Sequence, residues 1–340
     1  MLEITNRPLL YVGLSRKLQL GYYTSLVHVR PIQLCTAKRL SAHGLPHCPK
    51  NRRGGFSLVY LAYDANDQAV AIKEYLPGSL VKRGDNDLVV PITESNLNSF
   101  RYGMRFFFEE GRSLARILHP NVVRVENFFR ANDTVYMVMR YERGKTLQEF
   151  IRSHRGDIRE SFLRRVFAEL LNGLREVHTQ KLLHLDIKPS NIYIRMDGSP
   201  VLIDFGAARQ TLTTEQPKLM TMYTPGFAAP EQYTDPTLLG PWTDIYSIGA
   251  TMYACLAGGA PVAADARLTN DKLIPASKAW QGKYSAEMLA IIDACLKLDH
   301  LERPQSVFAL QKAIMETTDL AIKPPSLLEN IRNTLYKDIF

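Results

Sequence analysis

The sequence predicts an α+β fold, with strands concentrated in its first half and helices in its second, in two domains or one two-lobed domain. Three observations lead there. Short runs rich in Val, Ile and Met fall in the first half, at 70–73, 122–125 and 135–139, as strands do. Apolar stripes with a 3.6-residue period fall mainly in the second half, at 161–180 and 306–315, with a continuous apolar helix around 248–256. At 340 residues and 46% hydrophobic content, the chain can bury the cores of two lobes.

Charge and cysteines bound the partners. Lys and Arg total 42 against 34 Asp and Glu, a net charge of +8. Residues 1–53 hold nine of the basic residues and a single acid, Glu3, which leaves 33 of each sign in the rest. The body is therefore neutral, which argues against a nucleic-acid partner. Cys35, Cys48, Cys255 and Cys295 make no disulfide framework in a chain this long, and a reducing cytoplasm is the simpler setting. No apolar run reaches the ~18–20 residues of a membrane span.

The most informative stretch is His184-Leu185-Asp186-Ile187-Lys188-Pro189-Ser190-Asn191, followed by Asp204-Phe205-Gly206. Apolar runs at 181–183, 192–194 and 201–203 read as small strands, and Met196-Asp197-Gly198-Ser199 supplies a tight turn between two of them. Asp186, Asn191 and Asp204 would then emerge at one edge of a small sheet. Their oxygens suit Mg²⁺, which takes few protein ligands. A carboxylate without metal can accept a hydroxyl proton. The combination fits phosphoryl transfer, where positioning and charge neutralisation supply most of the catalysis. His-Leu-Asp-x-Lys-Pro-x-x-Asn followed by Asp-Phe-Gly resembles the catalytic loop and metal-binding motif of protein kinases, in particular the bacterial-type serine/threonine kinases. The resemblance implies the two-lobed kinase fold (a small β-rich N-lobe and a larger, mainly helical C-lobe), ATP and Mg²⁺ as cofactors, and protein substrates with Ser or Thr acceptors.

In chain order, residues 1–53 show no sustained period of 2 or 3.6. Three readings stand: a disordered basic arm, an acid-poor targeting segment, or a misassigned start upstream of a normal domain. Cys35, His43, His47 and Cys48 lack the paired spacing of a zinc site. The kinase resemblance asks for a strand just before the glycine-rich loop. Leu45-Pro46-His47-Cys48-Pro49-Lys50 is a poor one, since proline interrupts ladder pairing, so that strand is expected to be missing.

The N-lobe is expected over 54–143. Arg52-Arg53-Gly54-Gly55-Phe56-Ser57-Leu58-Val59 looks like the end of a kinase glycine-rich loop, with Val59 fixing the register. The pattern is only partly met: Ser57 replaces the third glycine and Arg52 the first. Lys73 closes the strand Val70-Ala71-Ile72-Lys73 and, by the resemblance, binds the nucleotide phosphates and pairs with a helix glutamate. The insert from Glu74 to Asn98 exceeds the usual family connection and has no assigned role. Residues 106–118 read as an amphipathic helix with Phe107, Glu110, Leu114, Ile117 and Leu118 inward. A buried carboxylate needs a partner, so Glu110 rather than Glu109 is assigned to Lys73. Met139-Arg140-Tyr141-Glu142-Arg143-Gly144 resembles the interlobe hinge. Met139 is then the gatekeeper, the Arg140 carbonyl and Glu142 N–H face the adenine, and Val59, Ala71 and Tyr193 sandwich it.

The C-lobe is expected over 144–315, with a tail at 316–340. The resemblance makes Asp186 the catalytic base, Lys188 the neutraliser of γ-phosphoryl charge, and Asn191 and Asp204 the Mg²⁺ ligands. His184 is read as a structural hydrogen-bonder. Leu185 stands where many kinases carry the Arg that binds a phosphorylated activation segment, so activity is expected not to need loop phosphorylation. Thr211, Thr213, Thr214 and Thr221 are candidates for autophosphorylation. Thr224-Pro225-Gly226-Phe227-Ala228-Ala229-Pro230-Glu231 resembles a substrate-docking loop, with Thr224 beside Asp186 and Lys188. Asp244 is expected to bond backbone N–H groups of the catalytic loop, and Glu231 to pair with Arg303 as scaffold. Two other readings compete. A pseudokinase acting as a nucleotide- or partner-binding module would explain the incomplete glycine-rich loop. A small-molecule kinase of the aminoglycoside-kinase type would share the catalytic loop but not the docking loop.

Overall fold

The computed structural model describes residues 38–40, 57–64, 68–84, 87–154, 157–205, 209–210 and 223–316. The chain divides into Met1–Pro31 and Ile32–Phe340, and every described residue belongs to the second unit.

The β-rich part opens with β1 (Lys38–Leu40), β2 (Ser57–Tyr63) and β3 (Ala69–Tyr75). A hairpin of β4 (Val81–Arg83) and β5 (Val89–Pro91) follows, then helix α1 (Asn96–Leu114) and strands β6 (Val125–Ala131) and β7 (Thr134–Arg140). Five of these strands form an antiparallel sheet in the order β1-β2-β3-β7-β6. Lys73 stands opposite Val59 on β2 and Met137 on β7, and Ala71 opposite Met139.

Three expectations are corrected here. A first strand exists after all: β1 pairs with β2, Lys38 opposite Leu61, upstream of the proline-broken residues 45–50. Helix α1 starts at Asn96, well before residue 106, and buries Phe100, Met104, Phe107 and Leu114 on one stripe. Leu118 is 69% exposed, because the helix ends at Leu114 and the chain leaves the stripe there. The remainder of the insert between β3 and α1 is the β4–β5 hairpin.

The helical part begins with β8 (Gly144–Thr146), α2 (Leu147–His154) and α3 (Glu160–Thr179). Short strands β9 (Leu182–Leu183), β10 (Ile192–Arg195), β11 (Pro200–Leu202) and β12 (Arg209–Gln210) follow. Helices α4 (Pro230–Thr234), α5 (Pro241–Ala257), α6 (Ala264–Thr269), α7 (Ala276–Ala279), α8 (Ala286–Cys295) and α9 (Val307–Glu316) complete it. Val166, Leu170, Leu174 and Val177 of α3 lose all solvent contact, as their period requires. Helix α5 is apolar around its circumference and buried along nearly its whole length, the mark of a core helix. Each such side chain contributes about 1.5–3 kcal/mol by leaving water. Among the described residues no helix is long and apolar enough to cross a membrane.

Candidate active site

Residues 184–191, expected to form the catalytic loop, occupy the turn between β9 and β10, and a 3₁₀ turn at Pro189–Asn191 closes it. Two anchors set its shape. The buried carboxylate of Asp244, in the first turn of α5, accepts from the backbone N–H groups of His184 at 2.9 Å and Leu185 at 2.8 Å. His178 Nε2 bonds the same carboxylate at 2.8 Å. Burial works against ionising Asp244, but these bonds outweigh it and hold its pKa below the ordinary range. From α4, Gln232 Nε2 donates to the Leu185 carbonyl at 3.0 Å. Leu185 takes φ +61° under these constraints, and Asp204 has the same value. Non-glycine residues held there are strained and cluster at functional sites.

His184 is fully buried against the Phe205 ring, and Asp186 N donates to its Nδ1 at 3.3 Å. Burial pushes its pKa down, so the imidazole is neutral and structural, as the sequence suggested.

Asp186 receives four hydrogen bonds on one carboxylate. Lys188 Nζ donates to Oδ2 at 2.7 Å and Oδ1 at 3.0 Å. Thr224 Oγ1 donates to Oδ1 at 2.8 Å, and Asn191 Nδ2 to Oδ2 at 3.0 Å. Lys188 Nζ also donates to Thr224 Oγ1 at 2.8 Å. Residues up to 38 positions apart thus share one carboxylate, whose side chain keeps 20% of its surface open to solvent. Thr224 arrives on a tight turn that needs glycine: Gly226 has φ +87°, and a Cβ there would lie 2.7 Å from the Pro261 carbonyl.

Ile203, Asp204 and Phe205 follow β11. Ile203 N donates to the Asn191 carbonyl at 2.9 Å, which ties it to the catalytic loop. Asp204 is 47% exposed at its side chain and accepts from Lys73 Nζ at 2.7 Å. Lys73, on β3, is 131 residues away in sequence and 5% exposed. Burial disfavours its ammonium, but Asp204 and Glu110 outweigh that and raise its pKa. Glu110 stands 3.8 Å from Lys73 Nζ, an ion pair without a hydrogen bond, and its Oε1 is buried with no hydrogen-bond partner. Burial pushes Glu110 up to about 7, against the pull of Lys73.

That shift makes a prediction for stability. A carboxyl whose folded pKa lies above its ordinary value binds its proton more tightly when folded, so its contribution is lost as pH rises towards 7. Between pH 5 and pH 8 the protein should lose up to ~3 kcal/mol that Glu110→Gln does not lose. Denaturant melts of both forms at the two pH values measure it, and parallel pH dependence would show that Glu110 is not the titrating group.

Asn191 and Asp204, the residues expected to hold Mg²⁺, fit that role on donor chemistry. Both hydrogens of Asn191 Nδ2 go to Asp186, to its carbonyl at 2.9 Å and its carboxylate, which leaves the amide oxygen as the hard donor. One carboxylate and one amide oxygen, with phosphates and water, make a Mg²⁺ shell.

The residues expected to form the hinge begin at the end of β7. Arg140 N donates to the Arg124 carbonyl at 2.9 Å, and Glu142 is clasped by Arg195 at 2.7 and 2.9 Å. Tyr193, on β10, donates to the Gly144 carbonyl at 2.8 Å. Met139 and Tyr193 are partly buried against the main core. Val59 and Ser57 lie on β2, while Gly54, Gly55, Thr211, Thr213, Thr214 and Thr221 lie outside the described residues, as do the four candidate zinc ligands. Sequence reasoning missed His178, Gln232 and Glu74. The first two position the catalytic loop through tertiary contacts that no spacing signals.

The protein kinase domain family matches residues 53–315. Serine/threonine-protein kinase B of Synechocystis sp. is 31% identical over 223 residues, which is 62% of this chain and 36% of that protein. Serine/threonine-protein kinase D of the same organism is 24% identical over 294 residues, 82% of this chain and 53% of that protein. The chain thus spans between about a third and a half of these relatives' length. Among solved structures, the PpkA-294 apo form superposes with a TM-score of 0.70 at 33% identity, covering 84% of this chain and all of that one.

Proposed function

The chain belongs to the protein kinase domain family, and from that membership we propose that it transfers the γ-phosphoryl group of ATP to serine or threonine hydroxyls of proteins. The observation that carries the reading is the Asp186 carboxylate, gathered with Lys188, Thr224 and Asn191 beside a Lys73–Asp204 contact of 2.7 Å. Asp186 accepts the proton of the attacking hydroxyl while its oxygen bonds to phosphorus and the bond to the nucleotide's leaving oxygen breaks. Lys188, 2.7 Å from Asp186, is close enough to neutralise charge on the transferred group. Thr224 completes the contact and favours an aliphatic hydroxyl over a tyrosine. Lys73 binds the phosphates, and Glu110 keeps it in place. Asn191 and Asp204 would hold Mg²⁺, which would supply charge neutralisation on the triphosphate when bound.

The nucleotide reading assigns Gly54, Gly55 and Ser57 to the phosphates. Val59, Ala71 and Tyr193 enclose the adenine, the backbone of Arg140 and Glu142 meets its edge, and Met139 limits the depth of its pocket. The chain itself is a candidate acceptor through its activation-segment threonines. We place the protein in the cytoplasm, a setting that suits Cys255 and Cys295, the buried free thiols among the described residues.

The test is incubation of the full chain with γ-labelled ATP, Mg²⁺ and a generic protein acceptor. Label should appear on Ser or Thr in phosphoamino-acid analysis. Label on tyrosine, or only on an aminoglycoside offered as acceptor, would overturn the substrate class. Nucleotide binding without transfer would leave a nucleotide-binding module in place of an enzyme.

A further inference from the structure

The β4–β5 hairpin, inserted between β3 and α1, is tied to the sheet through Glu74. That residue follows Lys73 directly on β3. Successive strand residues face opposite ways, so Lys73 and Tyr75 face α1 while Glu74 faces the other side. Its carboxylate has no solvent exposure. Arg83 Nη2, at the end of β4, donates to both of its oxygens at 2.6 Å. Tyr60 of β2 donates to it at 2.5 Å and Tyr136 of β7 at 2.7 Å. One buried carboxylate therefore joins three neighbouring strands and the insert. A second tie lies at the far strand of the hairpin. Val89 N donates to the Asn132 carbonyl at 2.9 Å, and Asn132 Nδ2 donates to the Tyr136 hydroxyl at 3.0 Å.

On the α1 side the insert packs into the core. Val81 and Val89 are 2% and 3% exposed and share one apolar cluster with Tyr75, Phe100, Met104 and Phe107. β5 packs directly against α1. Tyr75 stacks on Phe100 at 5.5 Å and meets Phe107 at 5.7 Å. The fit is close: a Cβ added to Gly103 of α1 would run into the Tyr75 hydroxyl. Lys73 Nζ lies 5.5 Å above the Phe107 ring. The surfaces that set the distance between Lys73 and Glu110 are thus continuous with the hairpin that Glu74 and Arg83 clamp.

We propose that the β4–β5 hairpin is a strut fixing α1 to β3, and that Glu74 and Arg83 are positioning residues that hold Lys73 and Glu110 at the nucleotide phosphates. The proposal rests on the reading of Lys73 as the nucleotide's lysine. Neither Glu74 nor Arg83 touches the reacting groups; each acts through the strand and helix that carry them.

Arg83→Ala tests it in the full-length protein, with two readouts. By hydrogen exchange, amides at 100–107 of α1 should open on the order of tenfold faster, while those of α3 and α5 keep their rates. In kinetics, KM for ATP should rise and kcat/KM for ATP should fall by up to about 10²-fold, with KM for the protein acceptor unchanged. Arg83→Lys should recover part of both effects. Should Arg83→Ala not fold, the neutral pair Glu74→Gln/Arg83→Gln reads the same two quantities. Unchanged exchange in α1, or exchange accelerated equally in α1, α3 and α5, would overturn the strut. Faster exchange confined to α1 with no change in ATP kinetics would keep the clamp and overturn its link to the nucleotide. Exchange needs no catalysis, so failure of the kinase reading and failure of the strut are told apart.

Discussion

Asp186→Asn should lower kcat by about 10²–10⁴-fold and leave KM for ATP nearly unchanged, since general-base transfer contributes on that scale. The substitution keeps the shape of the side chain and removes its basicity. It also changes the hydrogen-bond arithmetic around it. Asp186 now accepts from Lys188, Thr224 and Asn191 with both oxygens, and none of the three needs an acceptor to give something back. An amide at that position presents two hydrogens of its own, one of which must face Lys188 Nζ or Asn191 Nδ2. The loss therefore combines a missing base with a disturbed lysine. Thr224→Val separates the two, because it removes one donor to the carboxylate and one acceptor of Lys188 while leaving the base itself; its kcat should fall by a smaller factor. Single-turnover phosphoryl transfer at saturating ATP measures both. An Asp186→Asn rate equal to that of the parent would remove Asp186 from the chemistry, and with it the mechanism proposed for this site.

The residues of this site were legible because their chemistry is concentrated. Asp, Lys and Asn at fixed short spacing, with a second Asp after an apolar run, leave few alternative readings. Helices α3 and α5 were legible for a different reason, since burial imposes a period or abolishes it. What escaped lacks either signature. The start of α1 carries no acidic first turn, and Ser95 makes no side-chain cap, so the boundary at Asn96 left no mark. Strands β4 and β5 have three residues each, too short for alternation to register. Strand β1, equally short, lies upstream of the segment where proline made a strand implausible. The Glu74 cluster is defined by Arg83, nine residues on, and Tyr136, 62 residues on, and only the folded register makes them neighbours. Lys73 and Asp204 were expected to converge on a family resemblance, and their 2.7 Å contact is a property of the tertiary fold alone.

Arg303→Leu should destabilise the fold by about 3–5 kcal/mol, the cost of stranding one partner of a buried ion pair. Arg303 and Glu231 are each 3% exposed. They meet end to end, Nη1 to Oε1 at 2.8 Å and Nη2 to Oε2 at 3.0 Å, the bidentate geometry that favours Arg. The remaining donors of the guanidinium reach the carbonyls of Lys297, Trp242 and Leu298 at 2.8, 3.2 and 2.9 Å, so all five are used. Glu231 Oε1 also accepts from Thr243 at 2.8 Å. The pair thus joins α4, the first turn of α5 and the loop after α8. At about 2–4 °C per kcal/mol for a domain of this size, Tm should fall by roughly 6–20 °C. Because α4 follows directly on the turn that carries Thr224, kcat should fall as well, although neither residue approaches the reacting groups. The double variant Glu231→Leu/Arg303→Met leaves no buried charge unpaired and should be more stable than Arg303→Leu alone. A double variant no better than the single would mean that the carbonyl contacts of Arg303, and not its pairing with Glu231, hold these elements together.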